Sequence, residues 1–128
     1  MATQSDYLTL HRYFLNASMN RSLFFTQLQM GEMDHPSTRI HLDLWYACLF
    51  VVIEGWRKER IHDDSVTDLL RQKKMVELLE GCRNAVFHYD PIYTSERQEK
   101  LFKDGVFVEW VTRLHNAIGD FLLRQLGG

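Results

Sequence analysis

Only two prolines and seven glycines punctuate the 128 residues, too few turn-makers for a sandwich or barrel of many short strands. Cysteine is equally sparse: Cys48 and Cys82 stand 34 positions apart inside apolar stretches. That spacing is neither a zinc knuckle nor a redox pair, and both read as buried free thiols of a reducing compartment. Excess charge of one sign is missing as well. Fifteen basic residues against seventeen acidic ones leave a net charge of −2. Residues 1–62 carry six of each sign, and residues 63–128 carry nine basic and eleven acidic ones. Neither half is a basic arm or an acidic tail, and a protein that coats nucleic acid by counterion release would be far more basic. Any action on nucleic acid therefore rests on a local site. The longest uncharged apolar run, Leu44 to Ile53, is ten residues, and a membrane span needs about 20. The N-terminus, Met1-Ala-Thr-Gln-Ser-Asp6, lacks a basic stretch followed by an apolar run, so the reading is a chain without a secretory signal, soluble and cytoplasmic.

What is present is helical rhythm. Leu10, Phe14, Ala17, Phe24 and Leu28 follow steps of four and three from about Asp6 to Met30, broken by Arg21, and Gly31 is a natural stop. Pro36 suits the first turn of a second helix. That helix reaches about Lys58 and is apolar nearly all round from Leu42 to Trp56, the mark of a central core helix. Asp63, Asp64 and Ser65 offer caps for a third segment reaching Tyr89, with a solvated kink at Arg71, Lys73 and Lys74, and Asp90-Pro91 ends it. Ser95-x-x-Gln98 resembles a capping box opening the last segment, in which Phe107, Val111, Leu114, Ile118 and Phe121 keep the rhythm and Gly105 divides a short helix from a long one. With 45% hydrophobic residues and no repeat or linker, residues 1–128 read as one domain. Its expected fold class is all-α: an antiparallel, up-down bundle of four to five helices. Tyr7, Leu8 and Phe25 flank the first helix's core stripe and read as a dimer face.

Ionisable residues that interrupt apolar sequence carry the information about chemistry, because burying them costs free energy unless they are paired. Glu54 follows Phe50-Val-Val-Ile53, and Arg83, Asn84 and His88 lie at the end of an amphipathic helix. In helical register Asn84 and His88 share a face, so Asn84 can orient the imidazole. Arg83 and His88 would stand roughly 7.5 Å apart along the axis and some 140° apart around it, flanking a site without stacking. The carbonyls of a helix C-terminus favour a protonated imidazole, and imidazole is the side chain that ordinarily titrates near neutrality. Beside a guanidinium that never loses its charge, this pair suits phosphodiester cleavage: the imidazole moves protons and the guanidinium braces the phosphate as negative charge builds.

Arg83-Asn-Ala-Val-Phe-His88 resembles the R-x4-6-H signature of the HEPN superfamily, including the polar residue that follows the arginine. Ten Arg and six His give about 0.5 chance pairs at this spacing, and the asparagine cuts that to about 0.015. A second copy, Arg57-Lys-Glu-Arg-Ile-His62, lies in a charged helix end and reads as a solvated face. The resemblance implies a metal-independent, RNA-binding endoribonuclease, a toxin or phage-defence component, that leaves 2′,3′-cyclic phosphate ends and needs no cofactor. It also implies a homodimer whose two signature helices face each other across one cleft, and an antitoxin partner such as a nucleotidyltransferase. Within it, His88 is the acid/base, Arg83 the phosphate brace and Asn84 the orienting residue. Glu54 aims Arg83, helps manage the proton on His88, or pairs with Arg57 or Lys58 on its own helix, and Arg83 has Glu80 as the alternative i,i+3 partner. Members silenced by adenylylation carry a tyrosine two positions after the histidine; here Asp90 holds that place and Tyr89 precedes it, and Asp90 can instead orient His88. The alternative is a non-catalytic adaptor of the same fold that binds a nucleotide or a protein partner. Two E-x-x-H strings, Glu32–His35 and Glu59–His62, lie at helix ends rather than on an inward face, so no metal site is expected. No Gly-rich phosphate loop or assignable Ser-His-Asp set is present.

Overall fold

The computed structural model describes residues 1–91 and 95–127, and the Ser95 side chain lies outside the described residues together with the capping box read there. Among them six helices follow in order: α1 Gln4–Gln29, α2 Pro36–Lys58, α3 Asp64–Leu70, α4 Lys73–Phe87, α5 Ser95–Lys103 and α6 Gly105–Leu126. The protein is an all-α bundle. α2 packs on α1 and on α4, while α6 packs on α1, α3 and α5. α2 thus separates α1 from α4.

α1, α2, α3 and α6 each start where a side chain takes up free backbone N–H groups. Thr3 and Asp6 form a reciprocal capping box at α1, with Asp6 N–H donating to Thr3 Oγ1 at 3.2 Å and Thr3 N–H to the Asp6 carboxylate at 2.8 Å. α1 stops at Gly31, whose φ of +76° suits glycine. Pro36 opens α2 as expected, and His35 caps it by accepting from Ser37 N–H. Asp63 caps α3, and Asp104 takes the N–H groups of Val106 and Phe107 at the start of α6, so Gly105 does divide the last segment.

The third segment departs from the expected single kinked helix. It is two helices, because Gln72 (φ −77°, ψ 77°) takes the chain out of helical geometry. At this break the Leu69 carbonyl keeps only a tighter local bond, from Gln72 N–H at 3.2 Å, and accepts in addition from the buried Trp110 indole N–H at 2.9 Å, so tertiary packing adds to what the local ladder supplies.

The core is aromatic. Trp45, Tyr46, Phe24 and Phe107 are fully covered, and Phe24 meets Phe102, and Tyr46 meets Phe107, edge to face, the arrangement ring quadrupoles favour. α1 crosses α2 closely over Gly55, where a Cβ would stand 2.9 Å from the Leu10 side chain. Of the three residues read as a dimer face, Tyr7 packs on Phe121, Phe25 packs on Phe24 and Trp45 while staying partly exposed, and Leu8 is exposed. Among the described residues, no helix is long and apolar enough to cross a membrane.

Both cysteines are free thiols, Cys82 buried and Cys48 half-buried. Burial, reinforced by the Asp43 carboxylate, pushes the Cys82 thiol up to about 12. Because the thiolate is the reactive form, iodoacetamide at pH 8 should modify Cys82 at least about a hundredfold more slowly in the folded chain than in urea. Equal rates by mass spectrometry would show the α2–α4–α5 contact to be open.

Candidate functional site

The site forms where α4 crosses α2. The α2 face turned toward α4 carries Phe50 and Glu54 one turn apart, and α4 sets Arg83 against both. The guanidinium carbon lies 5.5 Å from the Phe50 ring centroid, and Nη2 lies 3.6 Å from Glu54 Oε2. That distance exceeds the 2.7–2.9 Å of a charge-assisted hydrogen bond, so the pair attracts electrostatically without locking. The Arg83 side chain is 23% exposed and that of Glu54 46%. Arg83 Nε is buried with no hydrogen-bond partner among the described residues. Of the pairings open to Glu54, the structure shows the one with Arg83. The i,i+3 contact that Arg83 could have made with Glu80 is replaced by this cross-helix one.

His88 does not hold its expected helical position. α4 ends at Phe87, and His88 caps it in extended geometry (φ −132°, ψ 141°), its N–H donating to the Asn84 carbonyl at 2.9 Å. The residue before a proline avoids the α region, and the chain has already turned out two residues before Asp90. The 7.5 Å and 140° helical relation therefore does not describe these two side chains. Asn84 and His88 are both exposed and are joined by that main-chain bond; among the described residues no hydrogen bond links their side chains to each other or to Arg83. The imidazole borders an open hollow of about 480 Å³ formed by residues 85–91. Arg83 and Glu54 are thus brought together, while Asn84 and His88 stand at the solvent-facing end of the same helix. Tyr89 is 93% exposed, and Asp90, a candidate to orient His88, is engaged by Arg97 of α5 at 3.5 Å.

Three features escaped the sequence. Arg97 brings a second guanidinium to the α4 end from a helix that no spacing rule connects to it. Beneath it lies a polar cluster of Asp43, Tyr46, Cys82 and Gln98, in which Cys82 donates weakly to Gln98 Oε1 at 3.9 Å. Tyr46 Oη and Gln98 Nε2 lack hydrogen-bond partners among the described residues, and burial pushes the Tyr46 phenol up, with Cys82 and Asp43 adding to it. The third is His115, fully buried on α6. Its Nδ1 accepts from the Trp45 indole at 3.0 Å and its Nε2 lies 3.2 Å from Ser18 Oγ. Because an indole N–H can only donate, Nδ1 is the bare nitrogen and Nε2 carries the proton that Ser18 accepts. This Ser–His pair therefore cannot activate a nucleophile. Its signal was legible, since position 115 is four after Val111 and three before Ile118, inside the core row.

Both E-x-x-H strings sit at helix ends. Glu59 caps α2, and His62 bonds to Asp64 at 3.0 Å. Among the described residues no three His, Cys, Asp or Glu side chains gather where a metal could be held. Comparison of the chain with family models, with curated proteins and with solved structures found no match in any of the three.

Proposed function

We propose that the chain is a HEPN-type, metal-independent endoribonuclease. The observation that carries this reading is Arg83, three-quarters covered between Phe50 and Glu54, on the same helix whose end presents an exposed histidine. The guanidinium braces the scissile phosphate and stabilises the charge that gathers on it. The His88 imidazole accepts the proton of the RNA 2′-hydroxyl, whose oxygen attacks the adjacent phosphorus. The P–O5′ bond breaks, the departing 5′-oxygen takes a proton from the imidazolium or from water, and the other fragment keeps a 2′,3′-cyclic phosphate. Asn84 lines the approach, and Glu54 sets the direction of Arg83 without neutralising it at contact distance. A single basic site suits a chain of net charge −2, which leaves little room for long-range capture of RNA.

The competing reading is the non-catalytic adaptor, favoured by one observation: Arg83 is already partnered by an acid and an aromatic ring, as a phosphate-binding or structural arginine would be. End-labelled single-stranded RNA separates the two. Wild type should cleave it with or without EDTA and leave cyclic phosphate ends, and His88→Ala should cleave at least about a hundredfold more slowly. Saturable nucleotide binding without turnover would assign the adaptor. Cleavage shared equally by His88→Ala would remove that residue from the mechanism.

A further inference from the structure

α1 is apolar on two opposite sides, and one of them is left exposed among the described residues. Leu10, Phe14, Ala17 and Phe24 face the core. Leu8, Leu15, Met19, Leu23 and the capping Met30 are 55%, 47%, 64%, 44% and 67% exposed. At 100° per residue these five fall within about 80° of one another, diametrically across from the buried row. They form a stripe about 33 Å long at 1.5 Å per residue. An ordinary surface helix places its charges there. This one has no carboxylate between Tyr7 and Gly31, and Arg12 is the one cation that lies within the stripe.

The spacing of the stripe is symmetric. Counting outward from Met19, Leu15 and Leu23 stand four positions to either side, and Leu8 and Met30 stand eleven. In a two-fold contact residue i meets j and j meets i, so an axis through Met19 sets an apolar side chain against an apolar one at every stripe position, a match that a foreign partner or a lipid surface has no use for. We infer that α1 pairs antiparallel with α1 of a second copy of this chain, about an axis through Met19.

In that register Met19 meets its own copy, Leu15 meets Leu23, and Leu8 meets Met30. Arg12 faces Thr26 and stands about 21 Å along the axis from the other Arg12, beyond the Debye length of about 8–10 Å. Parallel pairing would set the two Arg12 side chains against each other. Five side chains, each with on the order of 100 Å² left in water, supply about 500 Å² per copy. The exposed flanks Arg12, Asn16, Ser22 and Thr26 extend this toward the roughly 800 Å² of a standard interface. With α2 between α1 and α4, the contact leaves the Arg83 end of each chain open. It is a different surface from the facing signature helices that the resemblance implies, and it stands whether or not the chain cleaves RNA.

Sedimentation equilibrium of the full chain at about 1–100 µM tests this, with helicity and melting checked for every variant. Wild type should have the mass of two chains. Met19→Glu places two carboxylates on the axis and should weaken association at least a hundredfold, as should Leu15→Lys or Leu23→Glu alone. The double variant Leu15→Lys/Leu23→Glu sets each new lysine opposite a new glutamate of the other copy. The two positions are eight apart within one chain, too far to pair there. It should associate at least tenfold more tightly than either single variant. A monomeric wild type, including one that binds phosphatidylserine vesicles through this face, would overturn the inference. So would a dimer indifferent to Met19→Glu, which would put the contact elsewhere, or a double variant no tighter than the singles.

Discussion

Arg83→Ala should lower RNA cleavage by about a hundred- to a thousandfold, the usual loss when one group aimed at developing negative charge is removed, and should leave the fold in place. The two effects separate because of how Arg83 is held. Its ion pair reaches a half-exposed Glu54 at 3.6 Å, and such pairs contribute about 0.2–1 kcal/mol. Its position over the Phe50 ring adds about 0.5–1 kcal/mol. Nε makes no hydrogen bond among the described residues, so truncation there breaks none. A loss of about 1–2 kcal/mol moves the melting midpoint of a chain this size by several degrees and leaves it folded at 25 °C. Glu54→Gln keeps the shape and removes the charge. If the carboxylate serves to aim the guanidinium, that variant should slow cleavage by about tenfold. Initial rates on labelled RNA, taken with urea unfolding of the same samples, decide the matter. Activity that merely tracked the folded fraction would make Arg83 a structural residue, and unchanged cleavage would exclude it from the site.

The bundle was legible because helical burial repeats. Phe14, Ala17 and Phe24 on the first helix, and Val111, Leu114 and Ile118 on the last, sit at the spacing the sequence shows, and all are buried. The glycine and proline boundaries at Gly31, Pro36 and Gly105 were equally plain, because their effect on the backbone is local. The break at Gln72 was legible only in part. Arg71, Lys73 and Lys74 marked a kink there, but a full exit from helical geometry goes with a contact from Trp110, 41 positions away, to the Leu69 carbonyl.

The site divides the same way. Which residues to examine could be read from charge interrupting apolar sequence. The choice between Glu54 and Glu80 as the partner of Arg83 depended on how α4 crosses α2, a distance in space that sequence does not carry. His88 shows the limit from the other side: Pro91 announced that the helix would stop nearby, but whether the imidazole kept its helical register turned on two residues. The pairing of Asp90 with Arg97 needed α5 to fold back along α4.

His115 gives a second large effect, this time on stability. Burial, with the Arg21 charge adding to it, lowers its pKa from 6.5 to about 3. Above pH 6.5 the imidazole is neutral in the folded and unfolded chains alike and adds no pH dependence. Between pH 6.5 and about 3 the unfolded chain binds a proton that the folded chain refuses, so stability falls with falling pH by about 1.4 kcal/mol per unit. Below that range both forms are protonated and the slope ends. Other groups titrate in the same acid range, so the informative quantity is the difference between wild type and His115→Phe. Phenylalanine fills the space beside Phe14, now 4.7 Å from the imidazole centroid, and removes the titration. It also strands the Trp45 indole N–H, which should cost about 1–3 kcal/mol at pH 7. Wild type loses about 2 kcal/mol from this one group on the way to pH 5. The two stability curves should therefore converge near pH 5, with the variant the more stable chain in more acid solution. Urea unfolding at one-unit steps from pH 7 to 4 measures both. Parallel curves would mean that His115 is protonated in the folded chain. Protonated, Nδ1 could not accept from Trp45, so the buried chain from indole through imidazole to Ser18 would have to be drawn differently.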